Sequence, residues 1–112
     1  MVTPKVGFVV IYRWRVAEDK EESFVAAWRQ LTELIAERRG GLGSRLHRAS
    51  DGTFVAYAQW ASEEAWRAAG ERNKTEVLDE AAVAAMRGAI VERFDEIRLT
   101  PLADLLVPAE VG

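Results

Sequence analysis

Few side chains in this chain titrate near neutral pH or offer sulfur or imidazole to a metal. Cysteine is absent, and histidine occurs once, at position 47. Disulfides, iron–sulfur clusters and thiolate sites are therefore excluded, and a multi-histidine metal centre cannot form within one chain. The chain carries aromatic surface instead: four tryptophans, four phenylalanines and two tyrosines. Ala56 and Trp60 lie four apart on one apolar run and so share a strand face at period two. If that face meets the helices, Trp60, Trp66, Trp28 and Phe24 converge there, and Tyr12 and Trp14 can join from the first strand. Small Ala56 and Ala58 leave room between the rings. Two readings stay open: a flat aromatic slot for a polycyclic or quinol ligand, or a plain packed core. His47 is either a base near the cavity mouth or a solvated strand histidine. Tyr57 either bonds a substrate carbonyl or, from its odd-face position, lies in a dimer interface. Arg13, Arg15 and Arg45 either hold an anionic oxygen or sit solvated beside carboxylates. The acidic cluster Glu18, Asp19, Glu21 and Glu22 reads as solvated rather than metal-binding.

The elements that must position these residues are legible in the hydropathy pattern. Val6 to Val16 reads as a strand whose even face, Phe8, Val10, Tyr12, Trp14 and Val16, is wholly apolar or aromatic. Its odd face starts apolar and turns charged, which suits a central strand. Glu21 to Arg39 has helical spacing, with Phe24, Trp28, Leu31 and Ile35 on one side, acids first and arginines last. Gly40 and Gly41 stop it. Leu42 to Ala49 is a short edge strand, and Asp51-Gly52 marks a tight hairpin to a strand over Phe54 to Trp60. Ser62 caps a short helix expected to end near Gly70, with a polar connector over Glu71 to Thr75. A second long helix is expected over Glu76 to Phe94, and a last strand over Asp95 to Leu102, where Pro101 limits pairing. The order strand, helix, strand, strand, helix, strand is the split βαβ, or ferredoxin-like, unit with an antiparallel sheet: an α+β fold. Both long helices would cover one sheet face, leaving Val9, Ile11, Val55 and Tyr57 uncovered on the other. Two subunits packed sheet to sheet would cover them, so a homodimer is expected.

Length and charge agree with a single domain over residues 1–112, with a core at about 6–100 and a tail at 101–112. The tail is apolar and is expected to pack on the body or on a second subunit. Net charge is −3, with no basic stripe, which argues against nucleic acid. No apolar run approaches the roughly 20 residues that span a bilayer. The N-terminal residues Met1 to Lys5 lack a signal-peptide layout, so the reading is cytoplasmic.

The segment Asp51-Gly52-Thr53-Phe54-Val55-Ala56-Tyr57-Ala58-Gln59-Trp60-Ala61-Ser62-Glu63-Glu64-Ala65-Trp66 resembles the family of antibiotic biosynthesis monooxygenase domains. The opening Val6-Gly7-Phe8-Val9-Val10, the Phe24 and Trp28 helix, and Gly40-Gly41-Leu42-Gly43 also fit. The resemblance covers roughly residues 6 to 100. It implies a dimeric α/β barrel and, in some members, cofactor-independent oxygenation of anthrone-like intermediates to quinones. In those members an Asn-Tyr pair precedes the Trp. Here Tyr57 and Trp60 match, the Asn position holds Ala56, and Trp66 stands where a Tyr is often found. Haem-degrading members need a histidine in the second half of the chain, and none follows Trp60, so that mechanism is discarded. Oxygenation without a cofactor needs a substrate that ionises and passes an electron to O2 itself, inside a dry pocket with an orienting hydrogen bond. The expectation is then a cofactor-free, metal-free monooxygenase for an electron-rich, anthrone- or hydroquinone-like aromatic. Tyr57, Trp60 and His47 are its expected catalytic residues. Tyr12, Trp14, Phe24, Trp28, Ala56 and Trp66 are expected to line the substrate slot. A non-catalytic module binding a small apolar ligand, or an isomerase or cyclase on the same fold, are the alternatives.

Overall fold

The computed structural model describes residues 5–107. Strand β1 (Phe8–Val16) starts two residues later than the pattern suggests and is the centre of the sheet. Its even residues Phe8, Val10, Trp14 and Val16 are buried, and Tyr12 is half-buried. A single 3-10 turn, Glu18–Lys20, leads into helix α1 (Glu21–Arg38). Glu21 and Glu22 sit in the first turn of α1, where carboxylates favour the exposed N–H groups. The helix ends where Gly40 takes φ +83°, a conformation that strains any residue with a Cβ. Its inner face brings Phe24 edge-on to Trp14 and Phe54, with ring centroids 5.3 and 5.4 Å away. Phe24 is fully buried, a burial that stabilises by roughly 1.5–3 kcal/mol.

Strands β2 (Ser44–Arg48) and β3 (Phe54–Trp60) form the expected hairpin, and β2 is the sheet edge. At the turn the Asp51 carboxylate accepts from Thr53 N at 3.0 Å and from Thr53 Oγ1 at 2.6 Å. Helix α2 (Glu63–Thr75) is capped as the sequence implies: Ser62 Oγ accepts from Ala65 N at 3.1 Å. It does not stop near Gly70. Pairs at helical spacing, Glu63 with Arg67 and Glu71 with Lys74, run on through the stretch that reads as a connector.

The second half departs further from the pattern. Asp79, not Glu76, opens helix α3 (Glu80–Ala89), accepting from Ala82 N at 3.0 Å. Ile90 leaves the helix, and the chain returns along β1 in two pieces, β4 (Ile90–Arg93) and β5 (Ile97–Leu99). Strand β4 pairs with Trp14–Val16 and β5 with Val9–Ile11, so the expected single last strand is split. Between them Phe94 N donates to Arg13 O at 3.1 Å. The sheet is antiparallel, in the order β2-β3-β1-β4 with β5 also on β1. The α+β, ferredoxin-like architecture is therefore as the sequence reads.

Two clusters of side chains pack between helices and sheet. One joins Trp14, Val16, Phe24, Phe54, Ala56 and Ala89; the other joins Phe8, Val10, Trp60 and Ala69. The opposite sheet face carries Ile11, Val55 and Tyr57, all partly exposed, with Ile97 55% and Leu99 41% exposed beside them; Val9, expected to be uncovered with them, is instead buried. The tail does not bury itself on the body: Leu102 is 96% and Leu105 92% exposed. Residues 108–112 of the expected tail, and Met1 to Pro4, lie outside the described residues.

Candidate functional site

Between α1 and the even faces of β1 and β3 lies a cavity of about 230 Å³. That is just under the usual range of about 300–1,000 Å³ for drug-sized ligands, which suits one small flat molecule. Tyr12 and Trp14 wall it from β1, and Ala56, Ala58 and Trp60 from β3. Trp28, Leu31 and Ile35 close it from α1, and Met86 from α3. Each strand residue is in place because even positions share a face: β1 and β3 pair Tyr12 with Ala56 and Val10 with Ala58. The Tyr12 and Trp14 rings stack with centroids 5.9 Å apart and planes 8° from parallel. Small Ala56 and Ala58 leave the space that the rings surround. Gly41 and Gly43 border it after α1, and a Cβ at Gly41 would come within 2.7 Å of Ile35 Cγ2.

The polar groups of this cavity are mostly donors. Trp60 Nε1 is buried with no hydrogen-bond partner among the described residues, and so is Ser44 Oγ. Buried polar atoms seldom go unpaired, so both stand out among the lining residues. The Tyr12 hydroxyl accepts from Trp66 Nε1 at 2.9 Å, which leaves its own proton free to donate. Burial pushes the Tyr12 phenol above its ordinary pKa, and Glu96 adds to this. The Trp66 N–H and Arg98 act in the opposite sense. Tyr12 therefore stays a neutral donor at neutral pH. Arg93, on β4, is a further lining residue. Among the described residues no group of three or more His, Cys, Asp or Glu side chains could hold a metal ion.

The structure thus brings together Tyr12, Trp14, Trp28, Ala56 and Trp60. Phe24 is not a wall; it packs behind Trp14 in the core. Trp66 does not line the cavity either. It sits behind Tyr12 and lines a neighbouring hollow that shares Tyr12, Ile35 and Trp60. His47 and Tyr57 lie on the opposite sheet face, because odd β3 residues pair with odd β2 residues. His47 Nε2 accepts from Arg45 Nε at 3.1 Å, and Nδ1 lies 3.2 Å from Val55 O. His47 borders a shallow hollow along the β2 edge, which shares Trp28 and Ser44 with the cavity. Ser44 and Arg93 are lining residues the sequence pattern does not single out. Ser44 is hidden in a run of small residues, and Arg93 falls within the expected second helix.

The antibiotic biosynthesis monooxygenase family matches residues 7–77. No curated protein matches the chain. Among solved structures, a monooxygenase from the gene ActVA-Orf6 of Streptomyces coelicolor, in complex with the ligand nanaomycin D, is 28% identical, with a TM-score of 0.68. That match covers 95% of this chain and 96% of the other. SnoaB, a cofactor-independent oxygenase from Streptomyces nogalater, is 17% identical over 90% of this chain and 98% of its own, with a TM-score of 0.69. Rv0793 from Mycobacterium tuberculosis is 17% identical over 88% and 98%, with a TM-score of 0.65. With more than half of its length matched by the family, the chain belongs to the antibiotic biosynthesis monooxygenase family.

Proposed function

We propose that this protein is a cofactor-independent monooxygenase for an electron-rich aromatic of anthrone or hydroquinone type, acting in the cytoplasm as a homodimer. One observation carries the reading: a cavity of about 230 Å³ walled by the rings of Tyr12, Trp14, Trp28 and Trp60. A ring system slides between Trp14, Trp28 and Trp60. The substrate gives its proton to solvent water, and its oxygen meets Tyr12 Oη–H and Trp60 Nε1–H, which stabilise the negative charge. The electron-rich anion then gives an electron to O2, in a site from which water is displaced. For an anthrone, one oxygen atom becomes the new carbonyl, and the other leaves as water with the two methylene hydrogens. The donor that Ala56 cannot supply is available from Tyr12 and Trp60. The two Streptomyces proteins support this chemistry, one by its ligand nanaomycin D and the other as a cofactor-independent oxygenase. His47 and Tyr57, on the other face, are assigned no part in it.

The homodimer is supported by the uncovered sheet face, where Ile11, Val55, Tyr57, Ile97 and Leu99 form a continuous apolar surface. A second reading, an aromatic-binding module without turnover, is favoured by one fact: among the described residues no Asp, Glu, His or Lys lines the cavity. The deciding experiment is oxygen uptake with a panel of anthrones and hydroquinones and no added cofactor. A Trp60→Ala control is checked for folding by circular dichroism. Uptake that the folded control loses supports the oxygenase. Uptake no faster than the substrates' autoxidation overturns it in favour of the binding module.

A further inference from the structure

We infer that Arg93 determines specificity at this cavity, by selecting an aromatic ligand that carries a negative oxygen. The inference rests on the reading of the cavity as an aromatic site. Arg93 is the one charged side chain among the described residues that line it. Its position follows from register: Arg93 pairs with Trp14 across β1 and β4, so it projects on the cavity side of the sheet.

The other arginines of the strands are engaged. Arg13 pairs with Asp51 at 2.7 Å, Arg15 with Glu92 at 3.3 Å, Arg48 with Glu21 at 2.9 Å and Arg98 with Glu96 at 3.4 Å. Arg45 donates to His47. Arg93 has no ion pair and no hydrogen-bond partner among the described residues. An unengaged guanidinium at the rim of an apolar cavity keeps all five donors for a ligand, in a planar fork that fits a carboxylate or a phenolate oxygen. The remaining polar groups reinforce this choice. Among the described residues Tyr12 Oη–H and Trp60 Nε1–H have no acceptor, and no acidic side chain lines the cavity to repel an anion. A neutral hydrocarbon ring would leave all of these groups unmatched. A ring with a negative oxygen at the β4 end and an acceptor oxygen near Tyr12 would match them.

The test is a binding titration at pH 7 that needs no turnover, since Trp14, Trp28 and Trp60 report on the cavity by fluorescence quenching. The probes are anthraquinone-2-carboxylate and its methyl ester, which share the ring system and differ in charge. The wild-type chain is expected to bind the carboxylate about tenfold more tightly, the equivalent of one charge-assisted contact. Arg93→Gln is expected to erase that preference while keeping the ester affinity within about twofold, and Arg93→Lys to restore part of it. Equal affinities in the wild type, or a preference that survives in Arg93→Gln, overturn the role of Arg93 and leave the aromatic site standing. Failure of both probes to bind overturns the aromatic site itself, and this inference with it.

Discussion

Replacing Tyr12 with Phe separates the structural and chemical duties of its hydroxyl. The ring stays, and with it the stacking on Trp14. What disappears is an acceptor for Trp66 Nε1 at 2.9 Å and the donor that the proposed function assigns to the substrate oxygen. Loss of the first leaves a partly buried indole N–H without a partner, a cost of about 1–2 kcal/mol. For a chain of this size that lowers Tm by roughly 4–8 °C. Loss of the second removes one donor to the developing negative oxygen, which costs about 100-fold in kcat, or about 2.7 kcal/mol. KM should move far less, because the donor bond strengthens as the charge forms. The measurement is oxygen uptake beside a thermal melt. A melt lowered as stated with kcat unchanged within about threefold would refute the argument, and Tyr12 would be a packing partner of Trp66 only. An independent check comes from alkali. Because burial raises the folded-state pKa of Tyr12 above its ordinary value of 10.0, the stability linked to its proton is fully present below pH 10.0. It is lost as pH rises through the folded-state value, so Tyr12→Phe should show a flatter stability curve above about pH 10 than the wild type.

Arg39→Met removes a guanidinium that is fully buried and donates to Asn73 Oδ1 at 2.9 Å and Glu76 O at 2.7 Å, tying α1 to the end of α2. A loss of about 2–3 kcal/mol is expected, read as a lower urea midpoint at unchanged slope. Asp51 is held down to about 2 by Thr53 Oγ1, then by Thr53 N, with Arg13 helping. Its contribution is present above pH 3.8 and is lost as pH falls through about 2, so Asp51→Asn should flatten stability against pH across that window. Light scattering at micromolar concentration should give twice the 12.5 kDa chain mass, and Leu99→Glu, which puts a charge on the uncovered face, should halve it. A strictly monomeric wild type would contradict the homodimer.

The first half of the chain wrote its structure plainly. Alternation along Phe54 to Trp60 marks a strand with one buried face, the Asp-Gly pair marks its hairpin, and Ser62 marks its following helix; all three stand in the structure. The second half is ambiguous at the level of period. Ala82, Ala85, Ala89 and Ile90 continue one helical stripe, yet Ile90 turns into a strand because β1 offers pairing there, with Ala17 N donating to Ala89 O at 2.8 Å. Local spacing cannot register a partner strand seventy residues away. The same error hides Arg93, which reads as a helix residue and is a strand residue facing the cavity. The rings of the site were legible because period two places Tyr12, Trp14, Ala56 and Trp60 on one face. The side of the sheet to which His47 belongs was not, because it depends on the register between β2 and β3.

The outer border of the sheet has a consequence for how copies can meet. Strand β2 is five residues long and carries Arg45, His47 and Arg48 along it. A short, basic border discourages a neighbouring chain from adding itself as another strand, since like charges would line up across the new ladder. Growth of ribbons or fibres by strand addition is thereby opposed at the edge where it would begin. The proposed pairing through the apolar face would run about a two-fold axis and be complete at two, with no free end left to recruit a third.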